Sequence, residues 1–215
     1  MQLVINKQEY YIPAKWNEVT LRQYQKFMAT HNKDASASEQ ELHLISCFTG
    51  VSPAIIGKAK KSQITKVVNR LALLIEEKPS EELIMEFEIN GTEYGFHPNL
   101  QELKLKEFVD LDNALSDGWK NMHKIMSILY RPIVSRKGSK YEIEEYDYTS
   151  AKSRAIQFLD GLSVEIVNGG AAFFLLIVRE YIQIMQVYSK LDRTKKRQHI
   201  RQTKKLLRKT MGGTR

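Results

Sequence analysis

"INKQEYYIPAKWNEVTLRQYQKF" (residues 5–27) and "INGTEYGFHPNLQELKLKEFVDL" (residues 89–111) align without a gap, each position in the second lying 84 beyond its counterpart. Ile5/Ile89, Asn6/Asn90, Glu9/Glu93, Tyr10/Tyr94, Glu18/Glu102 and Leu21/Leu105 are identical, and Val19/Leu103, Arg22/Lys106, Tyr24/Phe108 and Trp16/Leu100 are similar. Asn90-Gly91 sits at the centre of an alternating run, and both residues tolerate the positive φ of a two-residue hairpin turn. Asn6-Lys7 is the weaker equivalent. Two β-hairpins are therefore expected, at residues 3–12 and 86–96, each leading into a helix. In the first copy Thr20 and Gln23 have the spacing of a capping box. Leu21, Tyr24 and Phe27 then fall on one helical face. Leu105, Phe108, Val109 and Leu111 continue the scheme in the second copy, with Lys104 a poorer cap.

A second correspondence extends the pattern. "HLISCFTGVSPAIIG" (43–57) resembles "RAIQFLDGLSVEIVN" (154–168) 111 positions on, matching Gly50/Gly161, Ser52/Ser163 and Ile55/Ile166. Ser52-Pro53 fits an N-cap followed by proline at the first helical position. The helix expected over 62–77 has Ile64, Val67, Leu71 and Leu74 on its apolar face, which map to Leu175, Val178, Ile182 and Met185. The larger offset implies an insertion near 116–150. Internal duplication and independent hairpin-then-helix patterning both account for the matches. The organisation expected is a mainly α, α+β fold: hairpin and helices over 1–80, hairpin and helices over 81–189, and an arm over 190–215. Gly169-Gly170 reads as a helix-entry turn, so the longest helix is expected over 170–188. It should be central, because "AAFFLLIV" is apolar almost all round. Pro132 is expected to end the preceding helix, and Gly138-Ser139 to mark a turn.

The chain has 215 residues and a net charge of +8. That charge is concentrated. Residues 190–215 hold eleven basic side chains against the single acid Asp192, a net +10, which leaves the remainder at −2. A near-neutral body with an isolated basic arm differs from a fold that carries a basic patch on its own face. Lys195, Lys196, Arg197, Arg201, Lys204, Lys205, Arg208 and Lys209 are the candidate partner-binding residues. The arm would span about 39 Å as a helix or roughly 85 Å extended, enough to reach a neighbouring subunit or nucleic acid. No apolar run approaches the roughly 18 residues of a membrane span. The N-terminus lacks the pattern of a secretion signal. A lone Cys47 precludes an intramolecular disulfide and suits a reducing cytoplasm or a site where thiols are irrelevant.

Catalytic equipment is not recognisable. His31, His43, His97, His123 and His199 are dispersed, without metal-ligand spacing. There is no phosphate-binding glycine loop and no GxSxG elbow. "DLDN" (110–113) lacks the glycine and final Glu of a calcium loop, and "EIEEYDY" (142–148) reads as a solvated acidic loop. No enzyme activity, cofactor or metal is expected. The aromatic residues at helical spacing, including Phe108, Phe158, Phe173 and Phe174, are expected in the core, and Tyr10, Tyr11, Tyr94 and Phe96 half exposed on the hairpins.

"NMHKIMSILYRPI" (121–133), with "WNEVTLRQYQKF" and "LKLKEFVDLDNAL", resembles a group of small proteins encoded among the virion-assembly genes of tailed phages of Bacteroidetes, including the crAss-like phages. The resemblance covers the chain to about residue 190. It implies a structural role in the head–tail connector, tail ring or tail assembly. The partners expected on that basis are identical subunits in a ring, neighbouring virion proteins and packaged DNA, with the virion as location. Two other functions fit the residues: a nucleic-acid-binding accessory protein acting through the arm, and a cytoplasmic tail-assembly chaperone.

Overall fold

The computed structural model describes residues 2–30 and 34–190, with side chains up to residue 179. Within them the chain is a mainly helical α+β protein. Strands β1 (Gln2–Ile5) and β2 (Gln8–Tyr11) form a hairpin, a 3-10 turn at Trp16–Glu18 follows, and α1 (Leu21–Thr30), α2 (Ala37–Thr49), α3 (Pro53–Ile56) and α4 (Lys61–Glu76) complete the first half. The second half opens with β3 (Glu86–Ile89) and β4 (Thr92–Phe96), a 3-10 turn at Leu100–Glu102 and α5 (Leu105–Leu115). A 3-10 turn at Gly118–Asn121 leads into α6 (Met122–Leu129). β5 (Tyr130–Lys137), β6 (Lys140–Ile143), α7 (Tyr148–Gly161) and α8 (Val164–Lys190) then follow.

The offset of 84 holds at the level of structure. It carries Gln2 to Glu86, Trp16 to Leu100 and Leu21 to Leu105, the first residues of three equivalent elements. The hairpin registers also correspond, with Gln2 opposite Tyr11 and Glu86 opposite Gly95. Both turns take positive φ at both central residues, 51° and 69° at Asn6 and Lys7, 52° and 77° at Asn90 and Gly91. Lys7 holds a left-handed conformation that a Cβ disfavours and glycine adopts freely. Lys7→Gly is therefore expected to stabilise the fold by about 0.5–1 kcal/mol. A raised midpoint in thermal unfolding, with Gly91→Lys lowering it, would check this.

The offset of 111 carries α2 (from Ala37) onto α7 (from Tyr148), and the N-caps Ser36 and Asp147 correspond, each accepting a backbone N–H three residues on. Past that point the halves diverge. The first half breaks into α3 and α4, whereas the second runs on as α8 from Val164. The longest helix thus begins six residues before the position expected from Gly169-Gly170, which lie inside it. Their smallness serves packing. A Cβ on Gly169 would stand 2.0 Å from the Glu82 carbonyl oxygen, so only glycine admits the 79–85 segment here. Asn168 holds that segment by donating from Nδ2 to the Pro79 and Ser80 carbonyls at 3.1 and 2.9 Å. Continuity of α8 also shifts its buried phase by one residue. Phe174 and Ile177 are buried and Leu175 is exposed, against the expected Leu175.

β3, β4, β5 and β6 form one antiparallel sheet in that order. The helix before Pro132 ends at Leu129, and Pro132 lies within β5 opposite Tyr94, where its carbonyl accepts the Glu144 N–H at 2.8 Å. Gly138-Ser139 makes the β5–β6 turn. Pairing with β5 buries Tyr94 and Phe96, which the sequence reading placed half exposed; Tyr11, on the unpaired hairpin, remains out.

Two hydrophobic cores result. One gathers Leu3, Ile12, Trp16, Phe48, Val67 and Leu71 with Val164 from the second half. The other gathers Phe96, Leu111, Met126, Tyr130, Phe158 and Phe174 with Leu21 from the first half. The exchange is fixed by backbone bonds. Leu21 N–H donates to Leu162 O at 2.8 Å, Val164 N–H donates to Val19 O at 2.9 Å, and Thr20 and Ser163 form an antiparallel bridge.

Candidate interaction face on the fifth helix

α5 has apolar residues on two sides and only one side can be buried. Glu107, Leu111 and Ala114, at helical spacing, face the core. Leu105, Phe108 and Val109 face outward, 79%, 56% and 46% exposed. This corrects the expectation that Leu105, Phe108 and Val109 belong to the core face. Their counterparts in α1 behave differently, Leu21 being fully buried and Tyr24 half-buried. In the first half, Tyr24 packs edge-on to Trp119 at 5.0 Å, and Gln25 donates from Nε2 to the Trp119 carbonyl at 2.6 Å. No described segment covers α5 in that way.

Polar bonds on its inner side decide which face of α5 is turned in. Glu107 and Arg131 are each 3% exposed, and Arg131 Nη1 donates to Glu107 Oε1 at 3.1 Å. Glu107 Oε2 closes the first turn by accepting the Lys104 N–H at 3.2 Å. That is the capping-box role of Gln23 in α1, which accepts the Thr20 N–H at 2.8 Å. Tyr146 OH donates to Asp110 Oδ2 at 2.7 Å; burial, then that bond, pushes the Tyr146 hydroxyl well above its ordinary range. A buried carboxylate is costly to hold unless it is paired and hydrogen-bonded, so these contacts pin the helix in one rotation.

His97 completes the buried cluster. Its Nε2 lies 3.8 Å from Glu107, and its Nδ1 accepts the Asn99 N–H at 3.2 Å. Burial, helped by the Arg131 charge, lowers its pKa to about 4 in spite of Glu107. The ring is therefore neutral at pH 7, as an accepting Nδ1 requires. Because the folded pKa lies below the unfolded value near 6.5, the unfolded chain binds more protons in between. The His97 contribution to stability is complete above pH 6.5 and lost as pH falls toward 4, roughly 3 kcal/mol in all. Urea unfolding at pH 7 and pH 4.5 should show this loss. His97→Gln should flatten it by about that amount.

The acidic stretch 142–148, which begins within β6, is more structured than a solvated loop. Glu142 and Ile143 lie in β6, and Glu144 accepts from the buried Arg154 at 2.9 Å. His43 and His123 are partly buried and hydrogen-bonded, to Thr30 and near Gln25. Asp110 of "DLDN" is taken by Tyr146. Among the described residues, no group of three or more His, Cys, Asp or Glu could hold a metal ion, and no helix is long and apolar enough to cross a membrane. The arm residues Lys195, Lys196, Arg197, Arg201, Lys204, Lys205, Arg208 and Lys209 lie outside the described residues.

The outward stripe was not separable by sequence, because its spacing equals that of the buried Leu21 stripe. Glu107 did leave a signal: a carboxylate at the third helical position, aligned with Gln23. Arg131 and His97 left none. Comparison with protein-family models, with curated proteins and with solved structures finds no match.

Proposed function

We propose that this chain is a structural, non-catalytic subunit of a tailed-phage virion, in the head–tail connector or tail ring, and that it works as a homo-oligomer. The observation that carries the oligomer reading is the α5 stripe. An apolar face rigidly held by buried polar bonds and left open marks an interaction site, and its α1 counterpart is covered. The resemblance of "NMHKIMSILYRPI" and its companion segments supplies the virion setting. We also propose that the halves are two copies of one hairpin–helix unit, since the same offsets relate element starts, strand register and N-caps.

The charge of residues 190–215 supports a second reading, in which the arm binds nucleic acid or an acidic partner. Two measurements test these proposals. Mass spectrometry of particles purified from infected cultures should find the chain at ring-like copy number, and its absence would favour an assembly chaperone. Truncation after Ser189 should abolish salt-dependent DNA binding or weaken assembly. If both survive at physiological salt, the arm has no partner.

A further inference from the structure

We propose that the outward stripe of α5 docks on the α2–α3 junction of a second copy of the chain, head to tail, so that the contact joining the halves within a chain recurs between chains. The proposal rests on the oligomer and repeat readings above. Within the chain, the start of α1 (Thr20, Leu21) is bonded to the extended link between α7 and α8 (Leu162, Ser163). The offset of 84 takes Thr20, Leu21 and Tyr24 to Lys104, Leu105 and Phe108, and the offset of 111 takes Leu162 and Ser163 back to Val51 and Ser52. The chain therefore has one such contact made and the two halves of a second one left open.

Both open halves have the form that contact needs. Val51 and Ser52 link α2 to α3 as Leu162 and Ser163 link α7 to α8, with Ser52 and Leu162 both extended. Ser52, Pro53 and Ala54 are exposed. Among the described residues, Leu105 N–H and Val51 C=O have no backbone partner, whereas Leu21 N–H and Leu162 C=O pair with one another. Leu105 is the most exposed large apolar residue of the described chain, while Leu21 is wholly buried. One departure is fixed by chemistry. Pro53 stands where Val164 donates to Val19, so one of the two backbone bonds has no counterpart between subunits.

Charge favours the same pairing. Residues 58–70, which follow the α2–α3 junction, hold Lys58, Lys60, Lys61, Lys66 and Arg70 and no acid. On the α5 side, residues 102–112 hold Glu102, Glu107, Asp110 and Asp112 against Lys104 and Lys106, and Glu102 and Asp112 are exposed without an ion pair among the described residues. Glu102 and Asp112 flank the stripe in sequence, as Lys58 and Lys60 follow the junction. Opposite charge steers encounter and fixes orientation. Because the surfaces differ, the contact is heterologous, and repetition generates a ring or an open filament in place of a two-fold dimer.

Two single variants and their mixture test this by sedimentation velocity. Leu105→Glu places a carboxylate in the exposed first turn of α5, where the helix tolerates it. Ser52→Trp blocks the junction, and Ser52 makes no side-chain cap bond to lose. The wild-type chain is expected to sediment as an oligomer, and each variant alone to associate at least tenfold more weakly. Each variant keeps the surface that the other lacks, so their equimolar mixture should form a one-to-one heterodimer and nothing larger. Wild-type-like assembly by either variant, or a mixture that stays monomeric or forms large oligomers, would overturn the docking proposal while the oligomer reading stands. A wild-type chain that is monomeric at all concentrations would overturn the oligomer reading itself.

Discussion

Replacing Arg131 by Met is expected to lower the unfolding free energy by about 3–5 kcal/mol, because Glu107 is left charged and buried without its partner. The carboxylate is 3% exposed, so water cannot take over from the guanidinium. The loss should be larger than the intrinsic value of the pair, since removing one partner leaves the full desolvation cost of the other. The double variant Glu107→Gln/Arg131→Met removes both charges while keeping an acceptor for the Lys104 N–H. It should be clearly more stable than Arg131→Met alone. Urea denaturation of the single and double variants, at an unchanged dependence on denaturant, checks both statements. Equal destabilisation of the two would mean that the charge is not the cause.

Phe158→Ala is expected to cost a similar amount, about 3–5 kcal/mol, for a different reason. Phe158 is fully buried and ties α7 to the sheet, with ring centroids 5.1 Å from Tyr94 and 5.9 Å from Phe87. Truncation leaves a cavity walled by aromatic rings that are themselves held by neighbours and cannot collapse freely. Tyr130, for instance, packs 4.9 Å from Phe87 and donates its hydroxyl to the Ile84 carbonyl at 2.7 Å. Phe158→Leu keeps much of the volume and should lose less than half as much. The midpoint of chemical unfolding reads both, and the hydrodynamic behaviour of the folded protein should be unchanged.

How much of this was legible depends on the range of the interaction. Turn chemistry and capping act over two to four residues, so Asn90-Gly91, Thr20 with Gln23, and the starts of α1 and α5 could be read directly. The 84-residue correspondence added the register of both hairpins. Long-range packing left weaker traces. Gly169 and Gly170 suggest a helix boundary by propensity, yet they are interior because Glu82 and Tyr130 press against that side of α8. The strand at Tyr130–Lys137 continues from a helix without a break, and only its pairing with β4 reveals it. The α5 stripe is the clearest case. Leu105 and Leu21 are the same residue in the same pattern, and burial of one alone follows from a segment 141 residues beyond it, Leu162.

The exchange of Leu21 and Val164 between cores also bears on how the chain is made. Thr20 and Ser163 are 143 residues apart, and synthesis at 5–20 residues per second separates their emergence by roughly 7–30 s. For that interval the amino-terminal core lacks Val164 and the Leu21 face has nothing to pack against, although most of that core is local and free to condense. The nascent chain therefore offers two apolar surfaces of one kind at once, Leu21 waiting for its own carboxy-terminal half and, later, Leu105. On polysomes, where copies emerge close together, Leu21 of one chain meets the finished α7–α8 link of another before its own is translated. Domain-swapped pairing is thus the misfolding route expected of this topology, and wider spacing of nascent chains should lower the share of swapped dimer recovered by size-exclusion chromatography.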